Sequence, residues 1–343
     1  MEQHEITTAG PLLDEKGNLR EPGFAKKPLP VYDRNQIKAS SLRIKEWDYY
    51  LVMNGQFGLA LTIADNGYMG LDSISFLDFW EKAQITKSPM RLLPMGSTGM
   101  PASTLEGDSA SGRKGYSLLF RREEDRRLLY AHMENFRGRE ALDAYIALTG
   151  EPEEAMVICP RFDKPGHFYF NQKINCLRAS GKVTVGEDEY MLDPADSFGV
   201  LDWGRGVWTY QNTWYWASAS GLAEGVPFGF NLGYGFGNTS AATENMLFYN
   251  GKAHKLSKVR FKIPGRRRRR RYMDQWEFSS GDGRFEMRFD PILDRSACAN
   301  FGLLKSNQHQ IFGKFTGLAV LDDGTEVFVK DFLGFAEEVE NKW

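Results

Sequence analysis

Phe228-Gly229-Phe230-Asn231-Leu232-Gly233-Tyr234-Gly235-Phe236-Gly237 alternates without a break. Large apolar side chains fall on every even position, and Gly or Asn on every odd one. A two-residue period belongs to a strand and not to a helix. One face is a wall of aromatics and Leu232. The other is bare, so another part of the chain must approach it closely or the strand must bend. The glycines are spaced G-x-G-x-G inside the strand with no helix after them, which is not a dinucleotide fingerprint. The even aromatics, Phe228 through Phe236, are expected to share one interior.

The rest of the chain agrees with that stretch. Its 343 residues include 35 Gly, 24 Phe, 14 Tyr and 8 Trp, a balance that disfavours helices and favours strands. Trp47–Val52, Phe57–Ile63, Tyr68–Phe76, Leu128–Phe136, Ala141–Leu148, Val259–Ile263, Arg284–Phe289, Ile311–Leu321 and Glu326–Phe332 read as strands. Turn signals such as Asn54-Gly55 and Asp322-Asp323-Gly324 separate them. Phe76–Lys82 is the best short-helix candidate in the first half, and Pro94–Gly112 reads as a long loop. Many short strands at this spacing indicate sandwiches or barrels, not βαβ units.

The chain also repeats itself. Phe198–Trp208 lies on Leu333–Trp343 without gaps, placing Gly199 on Gly334, Asp202 on Glu337 and Trp208 on Trp343. Gly181–Val185 lies on Gly317–Leu321, and the aromatic strand at Trp47 matches the one at Trp214. This predicts two β units, over 41–206 and 207–343, preceded by an extended arm over 1–40 that lies on a later part of the chain. Two units with inward aromatics suggest two barrels, which remove strand edges and can enclose a ligand.

Gly199-Val200-Leu201-Asp202-Trp203-Gly204-Arg205-Gly206-Val207-Trp208 and Trp214–Gly221 resemble the signature of the uncharacterised DUF2804 family. Lys45–Tyr50, Phe289–Arg295 and Gly334–Glu337 match the start and end of the same pattern. The family is similar to double-barrel lipocalin-like (calycin-type) proteins, among them carotenoid hydratases, tocopherol-cyclase-like proteins and a stress-survival family. The resemblance implies an all-β fold of two tandem lipocalin-like barrels and a ligand that is isoprenoid-like or otherwise apolar. It assigns no catalytic residue, and one fold hosts many functions.

Several groups carry possible chemistry. In an extended strand Asp202 and Gly204 share one face, and Trp203 and Arg205 the other. Asp202 reads as a buried general acid or as a structural carboxylate. Trp203 and Arg205 have the side chains for a stacked closure of a barrel floor. Trp208, Tyr210, Trp214, Tyr215 and Trp216, joined by Phe228, Phe230 and Tyr234, read as a ligand pocket or as an aromatic core. Glu337 and Glu338 read as an acid–base pair or as partners of arginine, with Arg295 of Asp294-Arg295 the obvious candidate. The six arginines Arg266–Arg271 follow Pro264-Gly265 and read as a solvated loop or charged edge more readily than as a nucleic-acid patch.

Other classes find little support. The net charge of −2 favours neither nucleic acid nor an anionic membrane. Cys159, Cys176 and Cys298 show no CxxC spacing and read as reduced, mostly buried thiols. No HxH, HExxH, GxSxG or Walker A pattern occurs, so no metal and no cofactor is expected. His132 and His309, on strands of opposite halves, are the only histidines worth testing. The N-terminus MEQHEITTAG has no apolar h-region, and no stretch reads as a spanning helix, so the expected compartment is the cytosol. Three functions are expected, in order: a binder of an apolar small molecule, a cofactor-independent hydratase, cyclase or isomerase, and a structural protein with filled barrels.

Overall fold

The structure, a computed structural model, describes residues 3–267, 269–301 and 304–342. Trp343, laid on Trp208 by the repeat, and Arg268, in the arginine run, lie outside these residues. The described chain is all-β, with two short 3-10 turns at Arg34–Gln36 and Ser41–Arg43.

Two curled antiparallel sheets hold the chain. The first has Lys45–Met53 and Phe198–Val207 paired at its centre, with Phe57–Asp65 and Met69–Asp78 on one side and Phe168–Val185 and Glu140–Thr149 on the other. It curls until Phe57–Asp65 approaches Asp108–Arg113 near the far edge. In the second, Gln211–Ala223 and Glu326–Lys342 are central, and Val226–Tyr234 comes round to meet Val259–Lys262. The first sheet's strands end at Val207 and the second's begin at Gln211. These are two lipocalin-like barrels in tandem.

The repeat is visible in the strand registers. Trp47 pairs with Gly204, Tyr49 with Asp202 and Val52 with Gly199. Trp214 pairs with Val339, Trp216 with Glu337 and Ala219 with Gly334. Laying Asp202 on Glu337 therefore lays Trp47 on Trp214 and Tyr49 on Trp216. On the next strand Lys173 faces Asp202 as Gln310 faces Glu337.

Both barrels are filled. Tyr50, Val52, Leu59, Leu61, Leu129, Ile146 and Trp203 belong to the core of the first. Phe228, Phe230, Trp276, Phe285, Phe289 and Phe315 belong to that of the second. A third apolar layer lies outside both. Tyr49, Leu51, Met53 and Val200 of the first barrel pack there on Trp216, Leu293, Phe312 and Phe335 of the second. The strands that serve both an interior and this seam are buried on both faces, so they read as nearly continuous apolar runs.

The alternating stretch behaves accordingly. Phe228, Phe230 and Leu232 point into the second barrel. The bare face meets the first at Gly229, where a Cβ would lie 2.8 Å from the Cys176 sulfur, and one on Gly233 would lie only 2.4 Å from Glu244 of the second unit's own loop. Cys176 sits in a bulge of Phe168–Val185 with φ 62°, and the preceding Asn175 donates to the Ser218 hydroxyl at 2.8 Å. Gly229 thus gives the two barrels room to touch.

Three expectations need correction. The strand ends at Tyr234, so Phe236 leaves the interior and joins rings between the barrels. Phe76-Leu77-Asp78 closes the strand Met69–Asp78 and the next four residues turn, because Asp78 accepts the backbone N–H groups of Trp80 and Glu81. The loop after Pro94 is shorter than expected, since Asp108–Arg113 is an edge strand.

The N-terminal residues lie over the barrels. Ile6, Leu12, Leu13, Tyr32 and Ile37 join the first core, and Gly23–Ala25 pairs with Met156–Cys159. Gln3 reaches the second barrel, donating to the Leu256 carbonyl at 2.8 Å. Cys159 and Cys176 are buried and Cys298 is exposed. No helix among the described residues is long and apolar enough to cross a membrane.

Candidate functional site

The residues singled out around Asp202 divide between two faces of one strand. Trp203 and Arg205 point into the first barrel. Arg205 is fully buried, with its guanidinium 4.0 Å from the centre of the Trp203 ring. It donates to Asp48 at 3.0 Å and to the carbonyls of Trp47 at 2.7 Å, Gly204 at 2.9 Å and Pro101 at 2.8 Å. In the second barrel the repeat puts Glu338 in the place of Trp203 and Glu340 in that of Arg205. There the cations come from the arginine run: Arg270 pairs with Glu338 at 3.2 Å and Arg267 with Glu340 at 2.9 Å. Gly265–Arg266 and Arg269–Arg270 pair as a short ribbon; Arg267 is exposed at its turn, as expected of a solvated loop or charged edge, and the expectation is corrected for Arg270, which is largely buried against Glu338.

Asp202 faces the seam between the barrels, and so does Glu337. An equivalent tryptophan lies beside each. Trp47 helps hold the Asp202 carboxyl down, and the Trp214 indole N–H donates to Glu337 at 2.9 Å. Each also accepts from an amide, Asp202 from Asn171 at 2.6 Å and Glu337 from Gln310 at 3.1 Å. A Cβ on Gly204 would lie 2.1 Å from the Trp47 ring, so the glycine is what lets that indole lie across the strand. Gly204→Ala is expected to displace Trp47 and alter the near-UV circular dichroism of the folded protein. An unchanged spectrum would contradict this.

The charges around the pair are unequal. Lys173 lies 3.8 Å from Asp202, 3.1 Å from Glu244 and 4.3 Å from the Trp216 ring centre. Burial pulls this ammonium down, but the carboxylates of Asp202 and Glu244 more than offset it, so Lys173 stays charged. Burial pushes both carboxyls of the pair up, and Lys173 and Asn171 pull Asp202 only part of the way back, so it stays above its ordinary value. Glu337 has no such cation in contact and is pushed up to about 7, with Trp214, the more distant Arg295 and Lys173 acting against burial. Glu337 is thus the carboxyl of this cluster that still carries its proton in part near neutral pH.

Arg295 was the expected ion-pair partner of Glu337. It instead donates to the Ser75 hydroxyl at 3.2 Å and lies 5.9 Å from the Tyr49 ring centre, so it acts on Glu337 only through its charge. Asp294 points the other way, to His309 at 2.8 Å. His132 pairs with Asp143 on an exposed face.

An arc of aromatic rings joins the two carboxylates. Trp47 stacks on Tyr169 at 5.8 Å and meets Trp208 edge-on at 5.3 Å. Phe236 then touches Tyr169, Trp208 and Trp214, at 4.8, 5.4 and 5.4 Å. Trp47, Trp214 and Phe236 are half-buried, so this wall is open on one side. The aromatic residues expected to act together are therefore separated. Trp208, Trp214 and Trp216 lie at the seam, Phe228 and Phe230 are in the second core, and Tyr234 stacks on Tyr215 at its mouth. Tyr210 is 46% exposed at the surface.

A family model for a domain of unknown function, DUF2804, matches residues 3–343. The chain belongs to the DUF2804 family. Among solved structures the chain is similar to a putative AttH from Nitrosomonas europaea, with a TM-score of 0.54, 12% identity and coverage of 92% of this chain and 98% of that one. At that identity the likeness shows a shared fold. Kievitone hydratase from Nectria haematococca (TM-score 0.49, 11% identity, covering 97% and 98%) and CghA (0.42, 12%, 96% and 97%) also match. No curated protein matches the chain by sequence.

Sequence reasoning missed Lys173, Glu244, Tyr49, Tyr169 and Gln310. The equivalence of Lys173 and Gln310 is set by the strand registers, since the bulge between Ile174 and Leu177 shifts the sequence offset by one.

Proposed function

We propose that this DUF2804 protein binds an apolar, isoprenoid- or lipid-like small molecule against the aromatic arc between its barrels, and performs cofactor-independent acid–base chemistry on it. The observation that carries this reading is the pair of repeat-related carboxylates, Asp202 and Glu337, each buried and each beside a tryptophan at the ends of that arc. Burying carboxylates with too few cations is costly. A plain binder of an apolar molecule gains nothing from that cost, whereas a general acid requires it.

In this reading Glu337 gives its proton to an alkene carbon or a carbonyl oxygen of the substrate. The indole and phenyl faces stabilise positive charge that develops on the substrate. In a hydration, water adds its oxygen to the cationic carbon, and its proton passes to Asp202. In an isomerisation or cyclisation, Asp202 takes a proton from a neighbouring carbon instead. Hydratase, cyclase and isomerase activities all need only these groups.

Geranylgeraniol is a suitable first probe, because it is long, unsaturated and apolar. It is expected to quench the intrinsic tryptophan fluorescence in a saturable way. Trp214→Ala and Trp208→Ala are each expected to weaken binding several-fold, while Tyr210→Ala leaves it unchanged. In deuterium oxide the bound probe is expected to take up carbon-bound deuterium with the wild type and not with Glu337→Gln. Binding that survives both tryptophan substitutions would remove the seam as the site. Binding without deuterium uptake would reduce the protein to a carrier.

A further inference from the structure

The repeat makes the two halves of the site comparable residue by residue, and they differ at one place. Asp202 and Glu337 are equivalent, as are Trp47 and Trp214. Tyr49 and Trp216 are equivalent and meet edge to face at 6.0 Å across the seam. The residues facing the carboxylates from the adjacent strand are Lys173 in the first barrel and Gln310 in the second. One is a cation and the other a neutral amide.

We infer that Lys173 decides which of the two related carboxylates carries the site's proton: it holds Asp202 ionised and leaves the proton on Glu337. This deepens the acid–base reading of the seam and rests on it. Lys173 is buried and offers its ammonium to two carboxylates, Glu244 at 3.1 Å and Asp202 at 3.8 Å. Its Nζ also lies on the Trp216 face, and that ring is fixed by the Trp216 N–H donated to Asn231 at 2.7 Å. Asn231 in turn donates to Glu244 at 3.2 Å. The ammonium is thus held from three sides and cannot swing to Glu337.

The groups around each carboxyl support the same division. Asp202 is surrounded by Lys173, Glu244, Glu337 and the Tyr169 and Tyr49 hydroxyls. Glu337 is surrounded by Arg295, Lys173, Asp202 and Tyr49. Both tyrosines stay neutral, Tyr169 because burial and the nearby carboxylates push its hydroxyl well up, and Tyr49 because burial pushes its hydroxyl up to about 12. Of the two repeat-related carboxylates, Asp202 is therefore the one with the Lys173 cation in contact. Gln310 has the complementary property. Its Oε1 is buried with no partner, while its Nε2 donates to Glu337. A turned Gln310 amide accepts the proton of a neutral Glu337, which Lys173 has no acceptor to do. The repeat has thus produced an acid from one copy and a base from the other. Lys173 is a positioning residue in this account, since it acts through Asp202.

Infrared difference spectroscopy of the ligand-free protein tests this, because a protonated carboxyl has its own C=O stretch. In slightly acidic buffer the wild type is expected to show a buried protonated carboxyl that disappears in Glu337→Gln and persists in Asp202→Asn. Lys173→Gln, which copies the second half of the repeat, is expected to add a second protonated carboxyl that Asp202→Asn removes. Lys173→Arg keeps the charge and is expected to restore the wild-type spectrum. Should Lys173→Gln not fold because Glu244 is left unpaired, Lys173→Gln/Glu244→Gln reads the same quantity. A wild-type band lost in Asp202→Asn and kept in Glu337→Gln overturns the assignment, as does a spectrum that Lys173→Gln leaves unchanged. No ligand enters these spectra, so a failure of geranylgeraniol to bind leaves this test intact.

Discussion

Arg205→Ala is expected to lower the free energy of unfolding by about 3–5 kcal/mol, the usual cost of removing one partner from a buried ion pair. The guanidinium is fully buried and is the cation in contact with Asp48, which is itself 6% exposed. Its loss leaves that carboxylate unpaired and frees the carbonyls of Trp47, Gly204 and Pro101. The stack on Trp203 goes with it. Arg205→Lys is expected to recover only part of the loss, because a point charge cannot span Asp48 and three carbonyls at once. Denaturant unfolding measures both. A cost below about 1 kcal/mol for Arg205→Ala would mean that the first barrel is not closed by this residue.

Glu337→Gln is expected to change how stability depends on pH. The folded carboxyl titrates at about 7 against an ordinary value of 4.5. The folded state therefore binds this proton more tightly than the unfolded state does. Its contribution is fully present below about pH 4.5 and is lost as pH rises through 7. On the usual conversion of about 1.4 kcal/mol per unit, the loss is on the order of 3 kcal/mol. Glutamine is neutral throughout, so the variant escapes that loss. Calorimetry is expected to show the melting temperature of Glu337→Gln rising relative to the wild type between about pH 5 and 8. Parallel curves would show that Glu337 is not held neutral by the fold. Turnover, where the substrate is protonated by Glu337, is expected to fall as pH rises through 7.

Much of the fold can be read from local pattern. The two-residue period of Phe228–Tyr234 and the offset between Asp202 and Glu337 both reflect backbone geometry, which is why they survive in the registers. The bare glycine face also reports something real, the approach of Cys176 and Glu244. Periodicity does not say which face of a strand is the inside of a barrel. Tyr49 and Tyr50 are both aromatic and both buried, yet Tyr49 faces the seam and Tyr50 the interior. The site lies where two outer faces meet, so its position depends on the docking of the barrels, which no local spacing records. Lys173 illustrates the same limit. Its neighbours Asn171, Gln172, Ile174 and Asn175 carry no motif, and only the tertiary contact with Asp202 and Glu244 makes it part of a site.

The barrel ends show the opposite case. Trp203 and Arg205 are adjacent alternates on one strand, so their stacking is a local property and is legible. Their counterparts in the second barrel, Glu338 and Glu340, are completed by Arg270 and Arg267 from a distant ribbon, and the inverted charge hides the equivalence.

A crystal structure of the protein soaked with geranylgeraniol tests the central claim most directly. The account predicts electron density along Trp47, Trp208, Phe236 and Trp214, with one end of the molecule between Asp202 and Glu337. Density inside the second barrel, among displaced side chains of Phe228, Phe230 and Phe285, would contradict it.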